Sequence, residues 1–230
     1  MSHQRTVYIV DADLPSRRLL TQHLARIGVE AWPFAAGAGF LEMLDHLMPA
    51  CILLDIDNAA PSGIEFLGEL GRLKPDWPVL AMSACPEVGI VVEAMKLGAL
   101  DFLKKPLEPA ALASALIPGF TRLNDALQAS DTRRQAVERL ARLSPRQLDI
   151  ARALFGGQSN KGAAYALGIS VRTVEMHRAH ILTKLGVKTL AEAAVLATQA
   201  GVTPINMRGP TREPAEPAAF AGRRLFARSA

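Results

Sequence analysis

The sequence predicts an α/β domain built on a parallel sheet, followed by an all-helical domain. Three observations carry that prediction. Strand-like and helix-like stretches alternate through residue 117, the pattern of parallel strands joined by helical crossovers. Four apolar runs in that half each end on a polar residue, of three chemical kinds: aspartate twice, serine and lysine. Beyond residue 143, helix caps and glycine stops follow one another at short intervals.

The first strand is the apolar run 7–10, which leads into Asp11 and Asp13. A helix over 14–27 carries Leu19, Leu20, Leu24 and Ile27 at helical spacing, and Gly28 stops it. A second strand spans 29–34, a helix 39–47, and a third strand runs over 51–55 into Asp55. Ile64, Leu67, Leu70, Gly71 and Leu73 place the next helix, closed by Pro75. The strand 79–83 ends on Ser83, and a helix over 86–97 is ended by Gly98. The last strand, Leu100-Asp101-Phe102-Leu103, leads to Lys104-Lys105-Pro106, and a fifth helix begins near Glu108.

Pro118-Gly119 is expected to break or kink that helix, because proline lacks the amide donor and its ring clashes with the preceding turn. Residues 120–143 read as helix again, with Leu123, Leu127, Val137 and Leu140 as apolar positions interrupted by Ser130 and Arg134. This segment is a linker helix with a weak stripe, or a dimerising coiled coil. Ser144-Pro145 then pairs an N-cap with a proline in the first turn, and Gly156-Gly157 ends the helix so opened. Asn160 is expected to cap a short helix to Leu167, and Ser170 a longer one that Gly186 ends. A fourth helix covers 189–200. From residue 202 the chain is rich in Pro, Ala, Arg and Glu, which reads as a disordered tail with Arg223-Arg224 available to phosphate.

Charge divides along the same line. Residues 1–120 hold nine Lys or Arg against fourteen Asp or Glu, whereas residues 144–202 hold seven against three. An acidic front and a basic back suit a regulatory half joined to a nucleic-acid-binding half. Cys51 and Cys85 lack metal-ligand spacing and read as reduced, mostly buried thiols. The apolar run before Asp11 is too short for a signal-peptide core. No run approaches the ~20 apolar residues that span a bilayer. The expectation is a cytoplasmic protein with no membrane partner. No second catalytic constellation or cofactor loop points to a metabolic enzyme.

Ligands of open α/β sheets bind at the carboxyl edge of the strands. Carboxylates, a hydroxyl and an ammonium gathered there suit a divalent cation and a phosphoryl group. The ordered set Asp11, Asp55, Ser83 and Lys105 resembles that of a response-regulator receiver domain over residues 5–117, and the segment from Leu100 to Pro106 is similar to its FixJ-type branch. The resemblance implies a flavodoxin-like fold of five βα units with strand order 2-1-3-4-5. It implies Asp55 as phosphoacceptor, Ser83 as switch hydroxyl, Lys105 as essential lysine and Phe102 as the rotating aromatic. Asp11 matches the first of an acidic pair that holds Mg²⁺, but the second position is Ala12. Asp13 and Asp57 are the candidates to replace the missing oxygen beside Asp11 and Asp55. Asn58-Ala59 and the late Pro61 also depart from the family pattern, while Gly63 stays in register.

Residues 144–201 resemble the LuxR/NarL-type helix-turn-helix domain. The matching residues are Leu143-Ser144-Pro145-Arg146, Ser159-Asn160-Lys161, Leu167-Gly168-Ile169-Ser170, Arg172-Thr173-Val174-Glu175-Met176-His177 and Ile181-Leu182-Thr183-Lys184-Leu185-Gly186. The helix-turn-helix itself covers about 160–179, and its second helix is expected in the major groove of double-stranded DNA. At 100° per residue, Val171, Val174, Ile181, Leu182 and Leu185 share a packing face, with Arg178 turned the same way toward a salt bridge. Arg172, Thr173, Met176, Ala179, His180 and Thr183 lie opposite, with Glu175 at the edge and His177 at a boundary. Lys161 and Lys184 are placed for backbone phosphates.

The resulting reading is a receiver (5–117), a helical linker (118–143), a LuxR-type DNA-binding domain (144–201) and a tail (202–230). A sensor histidine kinase phosphorylates Asp55, and the receiver forms a homodimer that acts on the DNA-binding half. The alternatives are a receiver that works without Mg²⁺-dependent phosphorylation, or an adaptor for phosphotransfer or protein binding.

Overall fold

The structure, a computed structural model, describes residues 5–57 and 62–203. The expectations at Asn58-Ala59, Pro61 and Arg223-Arg224, and all but the first two residues of the tail, lie outside the described residues. The chain forms two compact units that meet between Asp131 and Thr132.

The first unit is a five-stranded parallel sheet of β1 (Thr6–Val10), β2 (Glu30–Phe34), β3 (Cys51–Asp55), β4 (Val79–Ser83) and β5 (Asp101–Lys104). The strands lie in the order β2-β1-β3-β4-β5. β3 and β4 are buried along their whole length, as apolar runs must be when helices cover both faces. Successive side chains point to opposite faces. Val7, Ile9, Cys51, Leu53, Leu80 and Met82 therefore join a core with α1 (Leu14–Arg26) and α5 (Pro109–Leu140). Tyr8, Val10, Ile52, Leu54 and Ala81 join the other, with α2 (Gly37–Met43), α3 (Gly63–Leu73) and α4 (Val88–Lys96). Tyr8 anchors an aromatic cluster there, edge-on to Phe34 and Phe40 and stacked on Trp77.

The elements follow the sequence pattern with local differences. α2 starts earlier than expected and ends in a short 3₁₀ turn, Leu44–His46. α4 starts at Val88, two residues after the expected Pro86. Cys51 is buried as expected, but Cys85 is exposed, because it follows the buried end of β4 into a surface loop.

The largest difference is at Pro118. The helix is not broken there: α5 runs for 32 residues through it. Proline costs the hydrogen bond to the carbonyl of Ser114, and both residues lie on the exposed side, where solvent can take that carbonyl. On the buried side, a Cβ at Gly119 would lie 3.1 Å from Cys51 Sγ, so the missing side chain lets the helix approach the sheet. The expected linker is therefore not a separate element. Leu112, Leu116, Phe120 and Leu123 of α5 belong to the core of the first unit, and Ala136 and Leu140 to that of the second.

The second unit adds α6 (Pro145–Phe155), α7 (Asn160–Leu167), α8 (Val171–Leu185) and α9 (Leu190–Gln199). Ser144 forms a capping box with Gln147, satisfying two amides that the first helical turn leaves without partners. Ser170 and Thr189 cap α8 and α9 with a single side-chain bond each, accepting from Thr173 N and Glu192 N. Ser159, not Asn160, caps α7: its hydroxyl accepts from Gly162 N, and Asn160 is already in the helix. Ile150, Val174, Ile181, Leu185 and Ala193 fill the centre of the unit. Val171 stays 39% exposed despite its place on the packing face of the wheel. It is the first helical residue of α8.

Candidate functional site

The carboxyl edge of the sheet gathers the polar strand ends. Register sets Ser83 of β4 beside Lys104 of β5, and Asp55 of β3 beside Met82. Asp11, immediately after β1, is tied down by its own amide to Phe34 O. The carboxylates of Asp11 and Asp55 are completely buried, and one ammonium joins them: Lys105 Nζ lies 2.8 Å from Asp11 Oδ2 and 3.0 Å from Asp55 Oδ2. Buried charges persist when they are paired and hydrogen-bonded, which describes this triad.

Asp11 is the more firmly held of the two. Ser16 Oγ donates to its Oδ2 at 2.7 Å and Asp13 N to its Oδ1 at 2.8 Å, while the Arg17 guanidinium reaches its carbonyl. Burial pushes the Asp11 carboxyl up, but Lys105, Ser16 and the Asp13 amide together outweigh it and hold the group below its ordinary range. At Asp55, burial acts against the Lys105 ammonium and the nearby Asp11 charge adds to it, so this carboxyl sits above its ordinary range. Lys105 is pushed down by burial and up more strongly by the two carboxylates, and stays a firm cation. The site thus contains one fixed anion, one fixed cation and one carboxylate that protonates more readily than usual. Burial alone lifts the thiol of Cys51, behind the site, to about 12.

The other expected ligands do not join this group. Asp13 is exposed and caps α1, its Oδ2 accepting from Ser16 N at 2.9 Å. Asp57 is exposed as well, and its Oδ2 accepts from Ala84 N at 2.8 Å across to the loop after β4. Among the described residues, no group of three or more His, Cys, Asp or Glu side chains is gathered to hold a metal. Asp13 and Asp57, the candidates to replace the missing oxygen, thus each hold one carboxylate oxygen on a backbone amide outside the triad. The remaining donors, Asp11 and Asp55, still fit Mg²⁺, which keeps several waters and is often held by one or two carboxylates together with phosphoryl oxygens.

Ser83 is buried, its Oγ accepting from Cys85 N at 3.1 Å. Phe102 is half-buried against the core on the α3–α4 side, one strand from Ala81. Sequence reasoning missed Ser16, which supplies the second hydrogen bond to Asp11 Oδ2. A hydroxyl one turn into a helix that follows an acidic strand end is the signal that was there to read.

On α8, Arg172, Glu175, Met176, Ala179, His180 and Thr183 are exposed and Thr173 is half-exposed, with its hydroxyl 2.8 Å from that of Ser170. Lys161 is exposed on α7. Lys184, expected at a backbone phosphate, is exposed and also bonded within the unit. Its Nζ donates to Gln147 Oε1 at 2.8 Å and to Arg142 O at 3.2 Å, tying the end of α8 to the start of α6. Gln147 is buried and belongs to the capping box, so sequence reasoning also missed a polar pin in this core. Arg178 is half-buried, in keeping with its inward direction on the wheel. His177 Nδ1 is buried with no hydrogen-bond partner.

A carboxylate–lysine site at the edge of a 2-1-3-4-5 sheet, carried with a capped four-helix unit, defines a two-domain signalling regulator. Residues 7–117 match the response regulator receiver domain, and residues 141–197 match the luxR family of bacterial regulatory proteins. The transcriptional regulatory protein FixJ of Azorhizobium caulinodans is 36% identical over 211 residues, covering 92% of this chain and 100% of that protein. FixJ of Bradyrhizobium diazoefficiens is 33% identical, covering 88% and 98%. Among solved structures, the response regulator StyR aligns with a TM-score of 0.74 at 32% identity, over 85% of this chain and 99% of that one. Full-length FixJ from B. japonicum aligns with a TM-score of 0.52 at 33% identity, over 86% and 98%. The chain belongs to the FixJ family of transcriptional regulators, two-component response regulators that join a receiver to a luxR-type DNA-binding domain. Among the described residues, no helix is long and apolar enough to cross a membrane.

Proposed function

We propose that Asp55 is the phosphoacceptor through which a sensor histidine kinase controls DNA binding by this regulator. The observation that carries the reading is Lys105 held between two fully buried carboxylates at the sheet edge. In this reading an Asp55 oxygen attacks the phosphorus of a phosphohistidine. The P–N bond breaks and the imidazole leaves with a proton. Lys105 is placed to meet the phosphoryl oxygens as charge builds on them. Asp11 and Asp55 would hold Mg²⁺, which when bound neutralises phosphoryl charge. Because Lys105 is shared, charge added at Asp55 weakens its hold on Asp11 and reaches the ends of β4 and β5. Ser83 ends β4 and Phe102 lies two residues before the end of β5; they would carry the change to α4. There Val88, Val92 and Met95 are exposed, an apolar face suited to homodimer formation. The test is incubation with acetyl phosphate and Mg²⁺, followed by mass spectrometry of the intact chain. One phosphoryl group is expected on the wild type and none on Asp55→Asn; a wild type that stays unmodified favours control without phosphorylation.

In the second unit, the exposed face of α8 would lie in the major groove, with Arg172, Glu175, Met176 and His180 toward base edges and Lys161 toward phosphate. Lys161→Ala is expected to weaken binding to specific and scrambled duplexes alike and to reduce the salt slope by about 1. Lys184→Ala is expected to leave that slope unchanged and instead lower domain stability by about 1 kcal/mol, the usual worth of a lost hydrogen bond. Salt titrations of duplex binding and thermal melts of the two variants separate these roles.

A further inference from the structure

We propose that Asp57 is a positioning residue that latches the loop after β4 in the unmodified receiver, and that a phosphoryl group on Asp55 must displace it. The inference rests on the reading of Asp55 as phosphoacceptor. Two hydrogen bonds support it. Asp57 N donates to Asp55 Oδ1 at 3.3 Å, which seats the residue directly over the acceptor strand end. Its carboxylate then spans 27 positions of sequence to accept from Ala84 N at 2.8 Å.

β3 and β4 are paired up to Asp55 and Met82, and Ile56 N continues the ladder to Met82 O. Ala84 is two residues beyond Met82 and immediately follows β4, so its amide belongs to the rim of the same strand end. The rim offers few donors. Cys85 N is taken by Ser83 Oγ and Ala84 N by Asp57, while Lys105 is shared by Asp11 and Asp55. A phosphoryl group brings three acceptor oxygens and a charge of about −1.5 to −2. It needs donors that the resting site has already committed, and it must approach a second carboxylate whose own amide touches Asp55. Removing the latch therefore frees an amide for the incoming oxygens and frees the loop that leads into α4. Asp57 is not required for the chemistry; it sets how readily the loop gives way.

Two substitutions separate the hydrogen bond from the charge. Asp57→Ala removes both, and Asp57→Asn keeps a carbonyl oxygen that can accept from Ala84 N. The first measurement is hydrogen exchange at the Ala84 amide by NMR in the unmodified, full-length chain. The second is the rate of phosphoryl gain from acetyl phosphate at saturating Mg²⁺. Asp57→Ala is expected to speed both by about five- to tenfold, the scale of one ordinary hydrogen bond. Asp57→Asn is expected to stay within about twofold of the wild type in both. If the wild type gains phosphoryl and Asp57→Ala is no faster, the latch is overturned while the phosphoacceptor reading stands. If Asp57→Asn is as fast as Asp57→Ala, charge rather than the tie governs the rate and the latch is overturned. If neither chain gains mass, the latch and the phosphoacceptor reading fall together.

Discussion

Lys105→Met lowers the stability of the receiver by about 3–5 kcal/mol at neutral pH, the scale for breaking a buried ion pair from one side. The two tryptophans, Trp32 and Trp77, both lie in this unit, so urea unfolding followed by their fluorescence reports it selectively. The loss arises because Asp11 and Asp55, each with a completely buried side chain, keep their desolvation cost when their shared ammonium is gone. The pH dependence fixes the cause. Without Lys105 the Asp55 carboxyl, already above its ordinary range, is raised further, so the folded variant binds protons there more readily than its unfolded chain. Its deficit against the wild type then shrinks as pH falls from neutral toward that raised value. A deficit that stays constant over that range would show that lost packing, not charge, is responsible. In the wild type the opposite end of the scale matters. The contribution from Lys105 is complete below the ordinary lysine value near 10.4 and is lost only as pH rises through its raised one.

Gly63→Ala is the second large effect, about 3 kcal/mol, the upper part of the range for overpacking. A Cβ there would lie 2.5 Å from Ile56 Cα and 2.8 Å from Ile56 O, and both are backbone atoms that cannot swing aside. The first turn of α3 is thereby pressed against the residue that follows Asp55. Gly39→Ala is the control. It lies inside α2, nothing is within 4 Å of its would-be Cβ, and alanine is expected to stabilise the helix by up to about 1 kcal/mol. The same urea titration distinguishes the two. Equal midpoints would remove close backbone approach as the reason for a glycine at 63.

How far the sequence could be read depended on the range of the interaction. The strands were legible because a sheet covered on both faces needs unbroken apolar runs, and each run had a polar end to mark its limit. Asp11, Asp55, Ser83 and Lys105 were legible for the same reason. The amide partners of Asp13 and Asp57 were not, because a carboxylate facing a metal and one bound to a backbone amide look identical until loop paths are known. Pro118 misled because the proline rule counts the lost hydrogen bond but not which side of the helix it faces. At Lys184 the wheel placed the Cα correctly, but a long side chain reaches well beyond its Cα position. Its ammonium ends on Gln147, 37 residues earlier. Val171 failed through end effects, since a wheel assumes every turn of α8 has a neighbour.

The unbroken course of α5 sets a limit on how the protein can be divided. The receiver resemblance ends at residue 117, yet Phe120 and Leu123 are buried in the receiver core. A cut at the family boundary would expose both side chains and the apolar surface they cover, while leaving the carboxylate–lysine edge untouched. An exchange of receivers between regulators of this kind must therefore carry the helix at least through Leu123. The unit that can be inherited or transplanted intact is longer than the one defined by its chemistry.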